Sequence, residues 1–205
     1  MTDKVDLRER RRLATESEIE DAALDLFERH GFEGTTVDGI AARVGMSQRT
    51  FFRYFATKED AALGPNRAFE ALLTARLDGR VAGTSTLRDV EDAVAGVLGE
   101  LGSGRPDVVR RMVRVRRLVI KDEALRGAAL RREAEQCERF LRLLATATGD
   151  EAADPRARLL AETVSVTLRV AFDEWAAGYE PGRESALAET YRATCTSLRE
   201  LVANH

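Results

Sequence analysis

The stretch Gly34-Thr35-Thr36-Val37-Asp38-Gly39-Ile40-Ala41-Ala42-Arg43-Val44-Gly45-Met46-Ser47-Gln48-Arg49-Thr50-Phe51-Phe52-Arg53-Tyr54-Phe55-Ala56-Thr57-Lys58 decides the fold. Val37, Ile40, Ala41 and Val44 recur at i, i+3, i+4 and i+7, the spacing that gives a helix one apolar face. Thr35 or Thr36 can cap its start, since a hydroxyl oxygen accepts a backbone N–H left unpaired there. Asp38 lies near the positive end. Gly45 supplies a turn, because glycine reaches left-handed backbone angles without a side-chain clash. Ser47 then caps a second helix, expected over 48–55. Phe51 and Phe55, four apart, lock that helix to the first and leave Gln48, Arg49, Thr50, Arg53 and Tyr54 outward. Helix, glycine turn and capped helix with outward polar donors is the geometry of a DNA-reading helix-turn-helix.

Upstream, Ile19, Ala22, Ala23, Leu26 and Phe27 form an i, i+3, i+4, i+7, i+8 stripe that predicts a supporting helix over 13–30. Gly31 ends it, with Phe32 as the apolar contact that often follows. Residues 1–12 read as a flexible basic arm. Arg8, Arg10, Arg11 and Arg12 there suit either a phosphate or minor-groove contact or a solvated tail.

Downstream the pattern stays helical. Gly64-Pro65-Asn66 interrupts it, since proline removes a donor and clashes with the preceding turn; the break suits a hinge or an ordinary helix end. A helix then carries Phe69, Leu72, Leu73 and Leu77. A linker at Gly83-Thr84-Ser85-Thr86 precedes a helix over about 87–101. Pro106 suits the first turn of the next, over 105–121. A long helix over 123–148 ends at Gly149-Asp150. The helix over 154–178 is apolar around more than half its circumference, which calls for two partners. A final helix spans 184–203. The chain is therefore read as all-α: a three-helix DNA-binding domain at 1–58 and a helical ligand-binding and dimerisation domain at 59–205.

A chain of 205 residues, 44% of them hydrophobic, can bury a core as one or two domains. No stretch is apolar enough to span a bilayer, and the charged opening shows no signal peptide. Cys137 and Cys195 form no metal motif and no disulfide framework, which fits a reducing cytoplasm and no metal or cofactor. Net charge is −3, yet it is segregated. Residues 8–12 carry +3, residues 13–33 carry −6 and residues 34–58 carry +3. Phosphate attraction follows local charge, so the acidic helix should turn away from DNA.

Residues 105–121 carry +6. Arg110, Arg114, Arg117 and Lys121 fall on one stripe, read as a solvated face. Arg116 projects toward the apolar side, where it needs an anion: an internal carboxylate or a ligand.

Ser47 to Phe55 followed by Lys58-Glu59-Asp60, with Thr35-Thr36, Ile40-Ala41 and Val44-Gly45 before them, resembles the DNA-binding region of TetR-type repressors. The motif covers about a quarter of the chain and needs several residue types at fixed offsets. Gly39 stands where that family often has Glu, so the cap on Thr36 lacks one carboxylate partner. By resemblance, Ser47, Gln48, Arg49 and Thr50 approach base edges, Thr36, Tyr54 and Lys58 hold phosphates, and Arg53 does either. Tyr54 also reads as a packing residue with a wet hydroxyl. The family dimerises through a four-helix bundle, here the last two helices of each copy, and binds effectors in its C-terminal domain.

The resemblance implies a repressor released from a palindromic operator by a small, largely apolar effector. Arg116 to Leu125 and Pro155 to Ala161 are similar to an actinobacterial branch that includes the mycofactocin regulator, which implies acyl-CoA effectors. Candidate wall residues are Phe69, Val94, Leu98, Met112, Phe140, Val166, Val170 and Trp175, with Arg116 for the phosphates; plain core is the competing reading of each. An enzyme is a rival with no support: His30 and His205 sit in no nucleophile or metal motif, and no glycine-rich phosphate loop occurs. A protein-binding helical adaptor is the second rival, opposed by the polar outward set on 48–54.

Overall fold

The computed structural model describes residues 2–77, 86–148 and 155–203. The linker expected at 83–85 and the helix end at 149–150 lie outside them. The described residues form ten helices, and none is long and apolar enough to cross a membrane.

Helix α1 (Thr2–His30) begins far earlier than expected. In place of a flexible arm over 1–12 the helix runs back to Thr2, and no proline or glycine interrupts it. Arg12 spans two turns, bonding Glu9 at 2.6 and 3.0 Å and Glu16 at 2.5 Å, the spacing at which opposite charges support a helix. Gly31 ends α1 with φ 73°.

Helix α2 (Val37–Arg43) is capped by Thr36, whose Oγ1 accepts the Gly39 N–H at 3.1 Å. The cap therefore forms without the carboxylate that Gly39 lacks. Gly45, φ 69°, makes the turn. Helix α3 (Gln48–Phe51) is capped by Ser47. Helix α4 (Lys58–Ala62) is capped by Thr57, and Gly64-Pro65 separates it from α5 (Asn66–Leu77). A Thr86–Asp89 capping box opens α6 (Leu87–Gly104), Pro106 opens α7 (Pro106–Lys121), and α8 (Glu123–Thr148), α9 (Pro155–Ala177) and α10 (Ala186–Ala203) follow.

Two apolar clusters organise these helices. Ile19, Phe27, Ile40, Phe51, Phe55 and Ala61 form the first, joined by Val115 and Val119 of α7 and Leu125 of α8. Val94, Leu98, Met112, Val164, Trp175, Leu187 and Tyr191 belong to the second. Helix α7 thus has one end in each.

Much of its basic stripe is not a solvated face. Arg114 donates to Asp25 and Glu28 of α1 at 2.8 Å each, and Arg110 lies 3.4 Å from Glu184. Arg117 donates to the Ala176 carbonyl at 3.0 Å. Helical periodicity sorts residues by face but cannot say which neighbour covers that face. The acidic side of α1 is taken up here by α7.

Candidate DNA-reading face and ligand cavity

Helix α3 is short. Helix α3 ends at Phe51, and beyond it the chain tightens through Arg53 N–H to Thr50 C=O (3.2 Å) and Tyr54 N–H to Phe51 C=O (2.8 Å) before one α-type bond, Phe55 N–H to Phe51 C=O (3.0 Å), closes the segment. The expected helix over 48–55 is thus half α-helix and half tighter turn. Phe51 and Phe55 are fully buried with ring centroids 5.8 Å apart. Gln48 and Arg49 stand exposed on the first turn, and neither makes a side-chain hydrogen bond or ion pair with a described residue. Arg53 is exposed and lies 5.4 Å from the half-buried Tyr54 ring.

Two of the expected readers are occupied with capping. Ser47 Oγ accepts the Thr50 N–H at 3.1 Å and lies 2.9 Å from Thr50 Oγ1. Their hydroxyls hold the first turn in shape and keep Gln48 and Arg49 at its rim.

Lys58 departs from its expected place at a phosphate. Its Nζ donates to the Phe32 and Thr35 carbonyls at 2.7 and 3.0 Å and sits 4.1 Å from the Phe32 ring centroid. The Phe32 carbonyl, which also accepts the Thr35 N–H at 3.3 Å, and the Thr35 carbonyl both turn toward the ammonium, and the Phe32 ring face adds to the attraction. Asp122, between α7 and α8, accepts the Phe32 N–H from the other side at 3.1 Å. The Leu125 N–H first, and Phe32 with it, holds the Asp122 carboxyl below its ordinary range. The loop carrying Thr36 is therefore anchored to α4 and to the α7–α8 corner.

Phe52 was not singled out in the sequence. It is half exposed, edge-on to Phe51 at 5.7 Å and beside the readers. The signal existed: Phe51 and Phe55, four apart, share one face, and Phe52, next to Phe51 in the chain, turns about 100° away from it.

Arg111 was missed as well. It is the buried arginine of α7, with Nε 3.4 Å from Glu20 and Nη2 donating to Asp107 at 3.1 Å. Arg67 of α5 reaches the other Glu20 oxygen at 3.8 Å. Burial pushes Glu20 up to about 7, although Arg111 and Arg67 pull it down.

A cavity lies among α5, α7, α8 and α9. Its inner chamber, about 100 Å³, is walled by Leu63, Phe69, Met112, Val115, Phe172 and polar groups including Arg116. An outer groove of about 1000 Å³ runs past Leu73, Phe140 and Val164 to Arg139 and Arg142. Phe69, Gln136, Ser165 and Leu168 border both and form a waist between them.

Of the expected wall residues, the cavity brings together Phe69, Met112, Phe140 and Arg116. Val94 and Leu98 are fully buried core behind it, and Trp175 packs edge-on against Phe172 without lining it. Val166 and Val170 are 46% and 42% exposed on the outer side of α9, because that helix is apolar on two faces and these residues belong to the second. Arg116 lines the chamber but is held by Asp173 at 2.5 and 2.8 Å and by Glu133 at 3.4 Å. The internal-carboxylate alternative is the one observed.

Comparison with known proteins matches residues 19–61 to the family described as bacterial regulatory proteins, tetR family. The regulator TcmR of Streptomyces glaucescens is 34% identical over 202 residues, covering 97% of this chain and 89% of that one. The proposed mycofactocin biosynthesis transcriptional regulator MftR of Mycobacterium tuberculosis is 28% identical over 166 residues, 81% of this chain and 82% of that one. Among solved structures, FadR of Thermus thermophilus, a repressor in complex with lauroyl-CoA, is 26% identical with a TM-score of 0.50, covering 90% of this chain and 93% of that one.

Proposed function

The chain belongs to the TetR family of bacterial transcriptional regulators, and on that premise we propose that it is a repressor released from a palindromic operator by a largely apolar small molecule. Such a regulator works by binding DNA rather than by catalysis. The observation that carries the reading is the state of α3: Gln48 and Arg49 are unengaged and exposed, while Phe51 and Phe55 are locked into the core behind them. Gln suits adenine and Arg suits guanine through paired hydrogen bonds. Ser47, Thr50 and Arg53 flank them at base edges, and the exposed Phe52 suits a thymine methyl. Thr36 and the Tyr54 hydroxyl meet phosphates. Lys58 serves by holding the loop. On this reading the protein works on chromosomal DNA in the cytoplasm.

One such reader gives little specificity, whereas a two-fold pair aims two at half-sites about a helical turn or a multiple of it apart. The dimer forms through α9 and α10. Val166 and Val170, with Leu159 one further step along α9, make an exposed apolar stripe that supports this pairing.

Release requires a ligand that binds one dimer geometry better than the other. The cavity offers the lever. Leu63, immediately after α4, forms part of its wall, and Arg132 of the wall reaches Asp60 of α4 at 3.3 Å. A molecule filling the chamber therefore bears on the helix that follows the DNA reader. An acyl-CoA is the effector class we favour: the acyl chain enters past Phe140 and Phe69, and the phosphates stay at the mouth near Arg139 and Arg142. Its presence in FadR of Thermus thermophilus supports this. The test is a titration of operator-bound protein with lauroyl-CoA, followed by DNA anisotropy. Release at stoichiometric ligand is expected; DNA that stays bound at saturating lauroyl-CoA rejects the effector.

A further inference from the structure

The two chambers differ in what they can hold, and the difference lies in how their charges are committed. Three arginines line the inner chamber. Arg116 is bonded by Asp173 and faces Glu133. Arg132 faces Asp60 at 3.3 Å and Glu70 at 3.5 Å. Arg169 lies 3.8 Å from Glu133. Each cation thus has a carboxylate already, and Glu133, the acid in the wall, is shared by two of them. A ligand anion entering here would have to displace one of these acids and leave it unpaired in a partly buried site. A ligand cation would face the converse loss.

At the waist the situation is reversed. Gln136 on α8 borders both chambers, half-buried, and its amide makes no hydrogen bond to any described residue. Ser165 on α9 borders both as well. Around them stand Phe69 and Leu168. An amide beside one hydroxyl, in a constriction otherwise walled by Phe69 and Leu168, offers N–H donors and a carbonyl acceptor to whatever passes it.

We propose that the inner chamber accepts only the uncharged end of an effector and that Gln136 reads a carbonyl or hydroxyl carried partway along it. The inference rests on the C-terminal cavity being the effector site. It assigns the ligand a fixed polarity: apolar end innermost, hydrogen-bonding group at the waist, any charge outside in the groove. Gln136 is a specificity residue here, with no part in DNA binding or in the fold of α3.

Trp175 is the single tryptophan and packs edge-on against Phe172 of the chamber wall at 6.0 Å, so its fluorescence reports filling. Titrating full-length protein with laurate, dodecane-1,12-dioate and 6-oxododecanoate, with calorimetry alongside, tests the polarity. The dioate cannot bind without taking a charge inward. It should bind at least about tenfold more weakly than laurate, a loss that one misplaced charge readily causes. Gln136→Leu should weaken 6-oxododecanoate about fivefold, as expected for one hydrogen bond, and leave laurate within about twofold. Dioate binding as well as laurate overturns the uncharged chamber. Equal loss of both monoacids in Gln136→Leu overturns the role of the amide. If neither the monoacids nor lauroyl-CoA binds wild-type protein, the effector reading itself fails and this inference goes with it.

Discussion

Arg111 of α7 holds its Nε 3.4 Å from a Glu20 carboxylate oxygen of α1, with both side chains nine-tenths buried. Arg67 of α5 approaches the other oxygen. One carboxylate therefore ties the helix supporting the DNA reader to two of the helices that enclose the cavity. It is buried enough that protonation suits it.

Stability should carry the mark of that burial. The folded value of Glu20, about 7, lies above the ordinary value of 4.5. Its favourable contribution is thus complete below pH 4.5 and is lost as pH rises through 7, by at most about 3 kcal/mol. Urea midpoints at pH 5 and pH 8 should show Glu20→Gln losing less stability across that interval than wild type does. Parallel pH profiles for the two proteins would place the carboxylate in an unperturbed setting.

Lys58 offers a test that separates holding the loop from holding DNA. Lys58→Met should lower operator affinity, since the loop carrying Thr36 loses its anchor to the Phe32 and Thr35 carbonyls. The slope of log affinity against log salt should not change. A lysine on a phosphate would instead lower that slope by about one unit.

Val166 lies in the middle of the exposed stripe on α9. Val166→Glu sets two like charges against each other across a two-fold contact, so it should give a folded monomer in sedimentation, with operator affinity lost. Val94 is the control: it is fully buried in the core, so Val94→Ala should cost about 1–3 kcal/mol of stability and leave a dimer. A dimer of Val166→Glu would move the interface elsewhere.

Local order was readable in the chain and contact between distant segments was not. The Thr36 and Ser47 caps, the glycine turn and the break at Gly64-Pro65 each depend on residues within one or two turns. The partners of Arg114, Arg116 and Lys58 do not. Arg114 meets residues 86 and 89 positions away, and Lys58 meets carbonyls 23 and 26 positions back. Arg116 was identified as needing an anion, but nothing in its neighbours named Asp173. Val166 and Val170 read in the sequence as cavity wall, because an apolar pattern on α9 does not say which of two faces is the inner one. Gln136 gave no signal, since a lone polar residue on a long helix reads as solvated.

The decisive measurement is fluorescence anisotropy of DNA from the protein's own promoter against a scrambled duplex, in rising salt, for wild type and Arg49→Ala. The account predicts affinity that falls steeply with salt while a preference of about a thousandfold for one palindromic site persists. It predicts that folded, dimeric Arg49→Ala loses about tenfold or more at that site. Equal affinity for the scrambled duplex, or an Arg49→Ala protein that binds as wild type does, would contradict it.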